Sequence, residues 1–188
     1  ALPFLILSSE VLSQNELRVE SEDVGYATVF ELGVSLNNSD EIAAIQFDLT
    51  YDISAFNLLT SHSLTSRKED HTITTSSPSE NVLRVVIFSM NNKALKESTG
   101  ILANLEFESK TDPGEFTFAL SNVVLSSSSG STISGTKNDG EIIVLGPKMV
   151  ITMSQIDFGN VLLGSNQLRS FFIENEGNEA LIISSVNE

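Results

Sequence analysis

Hydrophobic and polar residues alternate with a period of two over much of the chain. In the stretch AIQFDLTYDISAF at 44–56, every second position from Ile45 to Tyr51 is apolar, and the positions from Gln46 to Asp52 that lie between and after them are polar. A period of two is typical of a β-strand with one side in a core and the other side displayed. The pattern therefore predicts a strand whose displayed side is polar.

The same alternation returns in three further segments. The side chains predicted to face the core are Tyr26, Thr28, Phe30, Leu32, Val34 and Leu36 in YATVFELGVSL, Ile101, Ala103, Leu105 and Phe107 in GILANLEFES, and Phe116, Phe118 and Leu120 in EFTFAL. Turn-forming sequences separate the strands: NNSDE at 37–41, TDPGE at 111–115, SSSSGS at 126–131, KNDGE at 137–141 and NEGNE at 175–179. Such a succession predicts an all-β sandwich, with a helical turn expected only around NNKALKES at 91–98.

The dipeptide Gly146-Pro147 follows the strand pattern EIIVL and predicts a boundary between a domain of residues 1–145 and a second unit of residues 146–188. The second unit holds a pattern for about four strands, fewer than an independent sandwich needs. Either it packs against the first domain, or it finds its missing strands in another copy of the chain, and an unpaired apolar edge favours self-association. The opening ALPFLILSSE at 1–10 fits a strand better than the remnant of a signal peptide, because a charged start and a complete cleavage site are missing.

Composition removes several classes of function. The chain has 25 acidic and 10 basic residues and a net charge of -15, which would repel a phosphate backbone, so nucleic acid is not an expected partner. No apolar run approaches the roughly 20 residues that a membrane-spanning helix requires. The absence of cysteine from the sequence excludes disulfides, zinc–thiolate sites and cysteine nucleophiles.

Catalytic and metal-binding patterns are weak. The two histidines, His62 and His71, lie in a polar Ser/Thr-rich stretch with no Ser-His-Asp or paired-carboxylate pattern, so the sequence predicts a protein that is not an enzyme. The turns TDPGE and KNDGE offer oxygen ligands and leave a calcium site open. Because Asp and Asn are also what tight turns require, a turn role is favoured and no cofactor is predicted.

The order of the strand segments resembles that of cohesin modules. IAAIQFDLTYDISAFNLL resembles their third-strand signature, F-x-L-x-Y-D, and the flanking segments LRVESEDVGYATVFELGVSL, VLRVVIFSMNN, GILANLEFESK, GEFTFALSNVVLSSSSGSTI and GEIIVL stand in matching order over residues 17–145. The resemblance implies a jelly-roll β-sandwich that is not catalytic and receives a dockerin-type protein module. Ile53 replaces the Pro that commonly follows Tyr-Asp, and the first Gly usually seen before the second strand lies within EDVGYAT.

A second resemblance covers residues 156–186, IDFGNVLLGSNQLRSFFIENEGNEALIISSV. This segment resembles the first half of the immunoglobulin-like modules of the ASPM/SPD-2/Hydin group and of bacterial surface proteins of the choice-of-anchor type. The positions that carry it are Phe158, Gly159, Val161, Gly164, Asn175, Gly177, Leu181 and Ile183. The chain is therefore expected to add an incomplete immunoglobulin-like β module to the sandwich.

The cohesin resemblance also predicts a partner-binding sheet face. The family's contact positions carried onto this chain are Ala44, Gln46 and Asp48, then Ile87, Ser89, Met90 and Asn91, and then Leu125. Gln46 and Asp48 are expected to offer hydrogen bonds at the rim. The register of residues 82–90 stays open, because the run VVIF at 85–88 is apolar on both sides and a slip of one residue exchanges displayed and buried side chains. The second apolar side is either a partner site or a surface covered by another part of the chain.

The resemblance implies an extracellular or cell-surface protein of a bacterium or archaeon. A carbohydrate-binding module is the alternative, since such modules share the sandwich architecture. They stack sugars on exposed aromatic rings, whereas this chain has no Trp, and both Tyr26 and Tyr51 are predicted to face the core. A structural spacer or adhesin segment without a discrete site is a third hypothesis, and a glycan array separates the first two.

Overall fold

The computed structural model describes residues 15–95, 99–110 and 113–185. The predictions for residues 1–10, and parts of those for NNKALKES and TDPGE, lie outside these ranges. Residues 91–95 form no helix, and a 3₁₀ helix occupies Ser66–Lys68 instead. The strands are β1 (Glu16–Val19), β2 (Glu22–Gly25), β3 (Val29–Asn37), β4 (Ala44–Thr50), β5 (Phe56–Leu64), β6 (His71–Ser79), β7 (Val82–Ser89), β8 (Ile101–Ser109), β9 (Gly114–Ser126), β10 (Thr132–Ile133), β11 (Thr136–Asn138), β12 (Gly140–Leu145), β13 (Met149–Ile151) and β14 (Ile173–Asn175).

Two sheets pack face to face, and the predicted all-β sandwich is confirmed. Sheet I has the order β11-β1-β3-β8-β5, and sheet II has the order β2-β12-β9-β4-β7-β6 with β10 added to β9. Residues 15–145 supply both sheets. Apolar side chains from the facing sides fill the space between them; Leu32 and Phe107 of sheet I and Phe47 and Phe118 of sheet II are fully buried.

An aromatic cluster lies at the centre of this core. The Phe107 ring stands 5.1 Å from the rings of Tyr51 and Phe118. Burial raises the pKa of the Tyr51 phenol, because the phenolate would lose its hydration. Directly after Tyr51, the Oδ1 atom of Asp52 accepts a hydrogen bond from the Ser54 amide at 2.7 Å and turns the chain. Strand β4 therefore ends at Thr50, and Tyr51, which follows it, places its ring in the core before the chain turns.

Three of the predicted core positions are wrong. Tyr26 is 60% exposed and Thr28 is also exposed, because β3 begins only at Val29 and both residues precede it. Ile101 is 43% exposed, since the register between β3 and β8 shifts at Val34 and Ser35. An irregularity of this kind changes which side of a strand faces inward.

Beyond Leu145 the described chain holds a ribbon of two short strands, β13 and β14, instead of the four that the pattern predicts. A two-stranded ribbon is marginal without further strands to cover it. Most of the large apolar side chains between residues 149 and 183 are accordingly exposed: Met149, Ile151, Met153, Phe158, Val161, Leu162, Leu163, Leu168, Phe171, Phe172, Ile182 and Ile183. The immunoglobulin-like identity of this segment stays a prediction.

Candidate partner-binding face

The outward side of β6, β7, β4 and β9 forms a continuous surface, which we call the docking face. In its middle, Gln46 pairs in register with Val86 on one side and Val124 on the other, and Ala44 pairs with Phe88. Partners in an antiparallel pair share one side of the sheet, so apolar side chains flank a polar one here. The face consists of Thr72, Thr74, Ser76, Val82, Arg84, Val86, Phe88, Ala44, Gln46, Asp48, Thr50, Ala119, Ser121, Val124 and Ser126.

Two of the predicted contact residues lie in the core instead. Ile87 is 1% exposed and Leu125 is 2% exposed, and both pair in register with the buried Ile45. Ile45 sets the side on which its neighbours must lie, so β7 displays Val86 rather than Ile87, and β9 displays Val124 rather than Leu125. The predicted display of Ile87 and Leu125 is therefore wrong, and their neighbours Val86 and Val124 take the displayed positions.

Asp48 lies on the predicted side, but its carboxylate is already bound within the fold. Arg84 donates from Nε to Oδ1 and from Nη2 to Oδ2, both at 2.7 Å, and Asn122 Nδ2 donates to Oδ2 at 2.7 Å. Asp48 is only 3% exposed. The hydrogen bond from Arg84 is the main cause that lowers the pKa of Asp48, with Asn122 adding to it. The groups that the surface presents here are Arg84 and Asn122, neither of which the sequence indicated.

The residues that follow β7 form a turn held by Asp70. The Asp70 carboxylate accepts hydrogen bonds from Ser89 Oγ and from Asn91 Nδ2, both at 2.6 Å. These bonds, with Ser89 first, lower the pKa of Asp70. Ser89 Oγ in turn accepts from the Lys93 amide at 2.9 Å. The turn keeps Ser89 buried, so its predicted display is wrong. Met90, which is 76% exposed, projects beside the docking face as predicted.

The two histidines lie in different parts of the fold and make different contacts. His71 is buried, with Nδ1 2.6 Å from the Lys68 carbonyl oxygen and Nε2 3.1 Å from that of Ala43, so it ties the starts of β6 and β4 together. His62 is half-buried in β5, where burial is the main cause that lowers its pKa and Glu106 acts in the opposite direction. Neither arrangement resembles a nucleophile with its base.

The acidic turn KNDGE has a structural role. In KNDGE, Asp139 accepts from the Leu120 amide at 2.8 Å and from Lys137 Nζ at 3.1 Å. Within the described ranges, no group of three or more His, Asp or Glu side chains is placed to hold a metal ion. Across the same residues, no helix is long and apolar enough to span a bilayer.

The two outer surfaces of the sandwich differ in charge. Among the residues of the docking face, the charged side chains are Asp48 and Arg84, which neutralise each other. On the outward side of sheet I, Glu31 lies directly opposite Glu106 in the register, and Glu108 follows two positions along the same strand. The outward side of sheet I thus displays a group of acidic side chains, whereas the docking face is neutral and partly apolar.

A family model for the cohesin domain matches residues 17–144, which coincides with the sandwich. The chain belongs to the cohesin family. Cohesins are non-catalytic binding modules, and the predicted resemblance over residues 17–145 is confirmed. A comparison with curated proteins finds no match.

Solved cohesins share the fold at low sequence identity. A non-cellulosomal cohesin from the archaeon Archaeoglobus fulgidus is 14% identical, with a TM-score of 0.61 over 71% of this chain and 92% of its own. The sixth cohesin of Acetivibrio cellulolyticus scaffoldin B, solved with a Cel5 dockerin mutant, is 16% identical, with a TM-score of 0.61 over 70% and 99%. A cohesin in a type I cohesin–dockerin complex from Clostridium thermocellum is 13% identical, with a TM-score of 0.62 over 70% and 99%.

Proposed function

We propose that this cohesin is a receptor for a dockerin-type protein module on an extracellular scaffold or cell surface, and that the partner binds the docking face. The observation that carries the proposal is the contrast between the two outer surfaces. On a chain of net charge -15, a neutral and partly apolar sheet face is the surface that a partner can cover with the smallest desolvation penalty. No unpaired carboxylate has to be buried there.

The docking face has the layout of a binding surface. Val86, Phe88 and Val124 supply apolar area around Gln46, whose amide is half-buried and can hydrogen-bond a partner in the middle of that area. Met90 adds a flexible apolar side chain at one end. All but Met90 stand on paired strands, so the surface exists before binding and the partner docks onto it without backbone rearrangement.

The relatives support the kind of partner. Two of the solved structures described above are cohesins in complex with dockerins, from Acetivibrio cellulolyticus and Clostridium thermocellum. This chain carries no EF-hand calcium loop, the feature by which dockerins are recognised, which fits the receiving side of such a pair. The extracellular location and the scaffold role belong to the proposal.

The test is a binding measurement with a panel of calcium-loaded dockerin modules, including any encoded near the gene for this chain. For a dockerin that binds, Val124→Asp and Met90→Asp should each weaken the affinity by about tenfold or more, because each places a charge in a desolvated contact. Val29→Asp is the matched control, since Val29 is 52% exposed on the outward side of sheet I. Equal affinities for all three variants and the parent protein would overturn the choice of face.

Carbohydrate binding is the second candidate, favoured by one observation. Tyr26, predicted to face the core, instead lines a groove of about 350 Å³ together with Pro113, Pro147, Lys148 and Met149. An exposed ring beside a groove is a platform on which a sugar can stack. A glycan array with the parent protein and Tyr26→Ala tests it, and binding of the same glycans by both proteins, or by neither, would count against it. A chain that binds neither dockerins nor glycans would be the spacer of the third hypothesis.

The division into domains of residues 1–145 and 146–188, and self-association through the second one, complete the proposal. The exposed apolar side chains of residues 149–183 support self-association, because burying them against protein removes apolar surface from water. Light scattering across a concentration series measures it. A mass of one chain at all concentrations would contradict self-association and leave dockerin binding unaffected.

A further inference from the structure

The segment Gly146-Pro147-Lys148 joins the sandwich to β13, and its composition predicts a flexible linker. In the structure its first residue is packed against the sandwich. The Tyr26 amide donates to the Leu145 carbonyl at 3.2 Å, and a Cβ atom added at Gly146 would lie 3.1 Å from Pro113 Cγ. Gly146 has a φ of 159°, at the border of the region that disfavours other residues. The chain therefore leaves β12 along a restricted path.

The turn NEGNE, residues 175–179, closes over this segment from the other side, and Asn178 makes the central contacts. Its side chain accepts from the Gly146 amide at 2.9 Å and donates to the Val144 carbonyl at 2.9 Å. The amides of Asn178 and Glu179 both donate to the Gly146 carbonyl, at 3.1 and 3.3 Å. The backbone of Gly146 thus has both its N–H and its C=O bound by one turn.

Asn175 and Glu176 hold the far end of the segment. Asn175 Oδ1 accepts from the Lys148 amide at 3.0 Å, and the Glu176 amide donates to the Lys148 carbonyl at 2.8 Å. The Lys148 ammonium also lies 3.5 Å from the Glu176 carboxylate. Asn175 shapes the turn itself, because its Oδ1 accepts from the Gly177 amide and its Nδ2 donates to the Glu179 carbonyl.

Gly177 is the residue that allows the two backbones to meet. A Cβ atom added there would collide with the Gly146 carbonyl oxygen and with the Lys148 amide nitrogen. Both of these atoms belong to the backbone, so no side chain could turn aside to make room. Close backbone approach of this kind requires glycine.

We infer that residues 144–148 and 175–179 form a clasp that converts the joint after the cohesin sandwich into a fixed connection. The clasp uses both asparagines of NEGNE and its glycine, and it binds the linker backbone on each side of Pro147. Its consequence is that the docking face has a set direction relative to the chain that leaves the sandwich. A flexible hinge at Gly146-Pro147 would instead let the docking face, and any partner bound to it, change orientation relative to the chain that follows. This inference concerns the joint and holds whether or not the partner is a dockerin.

Amide hydrogen exchange of the whole chain, followed residue by residue by NMR, tests the clasp. In the parent protein the amides of Gly146, Lys148 and Glu176 should be protected. Asn178→Ala removes the side-chain hydrogen bonds to the Gly146 amide and to the Val144 carbonyl, and should speed exchange at Gly146 by on the order of tenfold. Gly177→Ala should also speed exchange at Gly146, because the added Cβ atom collides with the linker backbone. Asn166→Ala is the control: Asn166 lies in the same segment but outside the clasp, so the exchange rates should not change.

The melting temperature of the sandwich is the accompanying control, because none of the three substituted residues belongs to its core, although the clasp includes Val144 and Leu145 at the end of β12. It should stay unchanged in all three variants. Fast exchange at Gly146 and Lys148 in the parent protein would overturn the clasp, as would unchanged protection in both Asn178→Ala and Gly177→Ala. A lower melting temperature of the sandwich in any variant would also overturn the clasp, since the turn at 175–179 would then be part of the sandwich and not of a joint.

Discussion

Replacing Asp48 with alanine tests the part of the docking face where sequence and structure differ most. As a partner contact, Asp48 would be dispensable for folding, and its removal would leave stability unchanged. In the structure its carboxylate accepts three hydrogen bonds at 2.7 Å, two from Arg84 and one from Asn122, and it is 3% exposed. The substitution therefore removes an anion around which two other side chains are arranged.

The expected loss is about 2–3 kcal/mol of unfolding free energy. Hydrogen bonds to a charged group contribute roughly 1.5–3 kcal/mol each when they are well buried, and removing one partner of a fully buried ion pair costs about 3–5 kcal/mol. The value for Asp48 is lower, because the Arg84 side chain is 36% exposed and recovers hydration once it is unpaired. For a chain of this size the loss corresponds to a fall of roughly 5–10 °C in melting temperature.

Thermal and urea unfolding followed by circular dichroism measure this loss. Gln46→Ala is the matched control, because Gln46 lies on the same side of β4 two residues away and should change stability by no more than about 0.5 kcal/mol. Equal melting temperatures for Asp48→Ala and Gln46→Ala at neutral pH would refute the structural role of the carboxylate.

The pH dependence of stability is a second test of the Asp48 carboxylate. The pKa of Asp48 is lowered in the folded state, chiefly by Arg84, so its stabilising contribution is complete above the ordinary carboxylate pKa of about 4. The contribution disappears as the pH falls from there through the lower pKa of the folded state. The difference in stability between the parent protein and Asp48→Ala should therefore shrink in acid, and a difference independent of pH would contradict this account.

Three further substitutions test the core and its edges. Phe107→Ala removes the ring at the centre of the aromatic cluster and should cost about 3–5 kcal/mol in urea unfolding; a loss below about 1 kcal/mol would contradict the packing. Arg67→Met leaves the Leu36 and Gly100 carbonyls, now bound at 2.7 and 2.6 Å, without that donor and should cost about 2–3 kcal/mol, whereas a neutral effect would be inconsistent with those bonds. Glu22→Gln should raise the melting temperature at neutral pH and not in acid, because burial raises the pKa of Glu22 and so disfavours its ionised form in the fold; a stabilisation that persists in acid would point to another cause.

The sandwich and its strands could be predicted because alternation is a local property of sequence. Ile45, Phe47, Leu49 and Tyr51 alternate strictly with polar residues, and all four are buried. The register of β7 could not be predicted the same way, since its run at 85–88 is apolar on both sides. There the pairing with β4, a contact between distant parts of the chain, decides that Val86 and not Ile87 is displayed.

The environment of the site residues also depended on distant contacts. Asp48 meets Arg84, 36 residues away, and Asn122, 74 residues away, so its polarity predicted the outward side but not its burial. Asp70, which holds the turn of Ser89, carries no local signal that separates it from an ordinary loop carboxylate. Turn chemistry at NEGNE was predictable, whereas its contact with the linker joins positions about 30 residues apart.

A hydrogen-exchange footprint of the cohesin, free and with a bound dockerin, tests the central claim most directly. If the docking face is the working surface, the dockerin should slow exchange in β7, β4 and the second half of β9 and in the turn of Met90, with β3 and β8 unchanged. Protection of β3 and β8 around Glu31 and Glu106, or no binding by any dockerin including those encoded near its gene, would contradict the account.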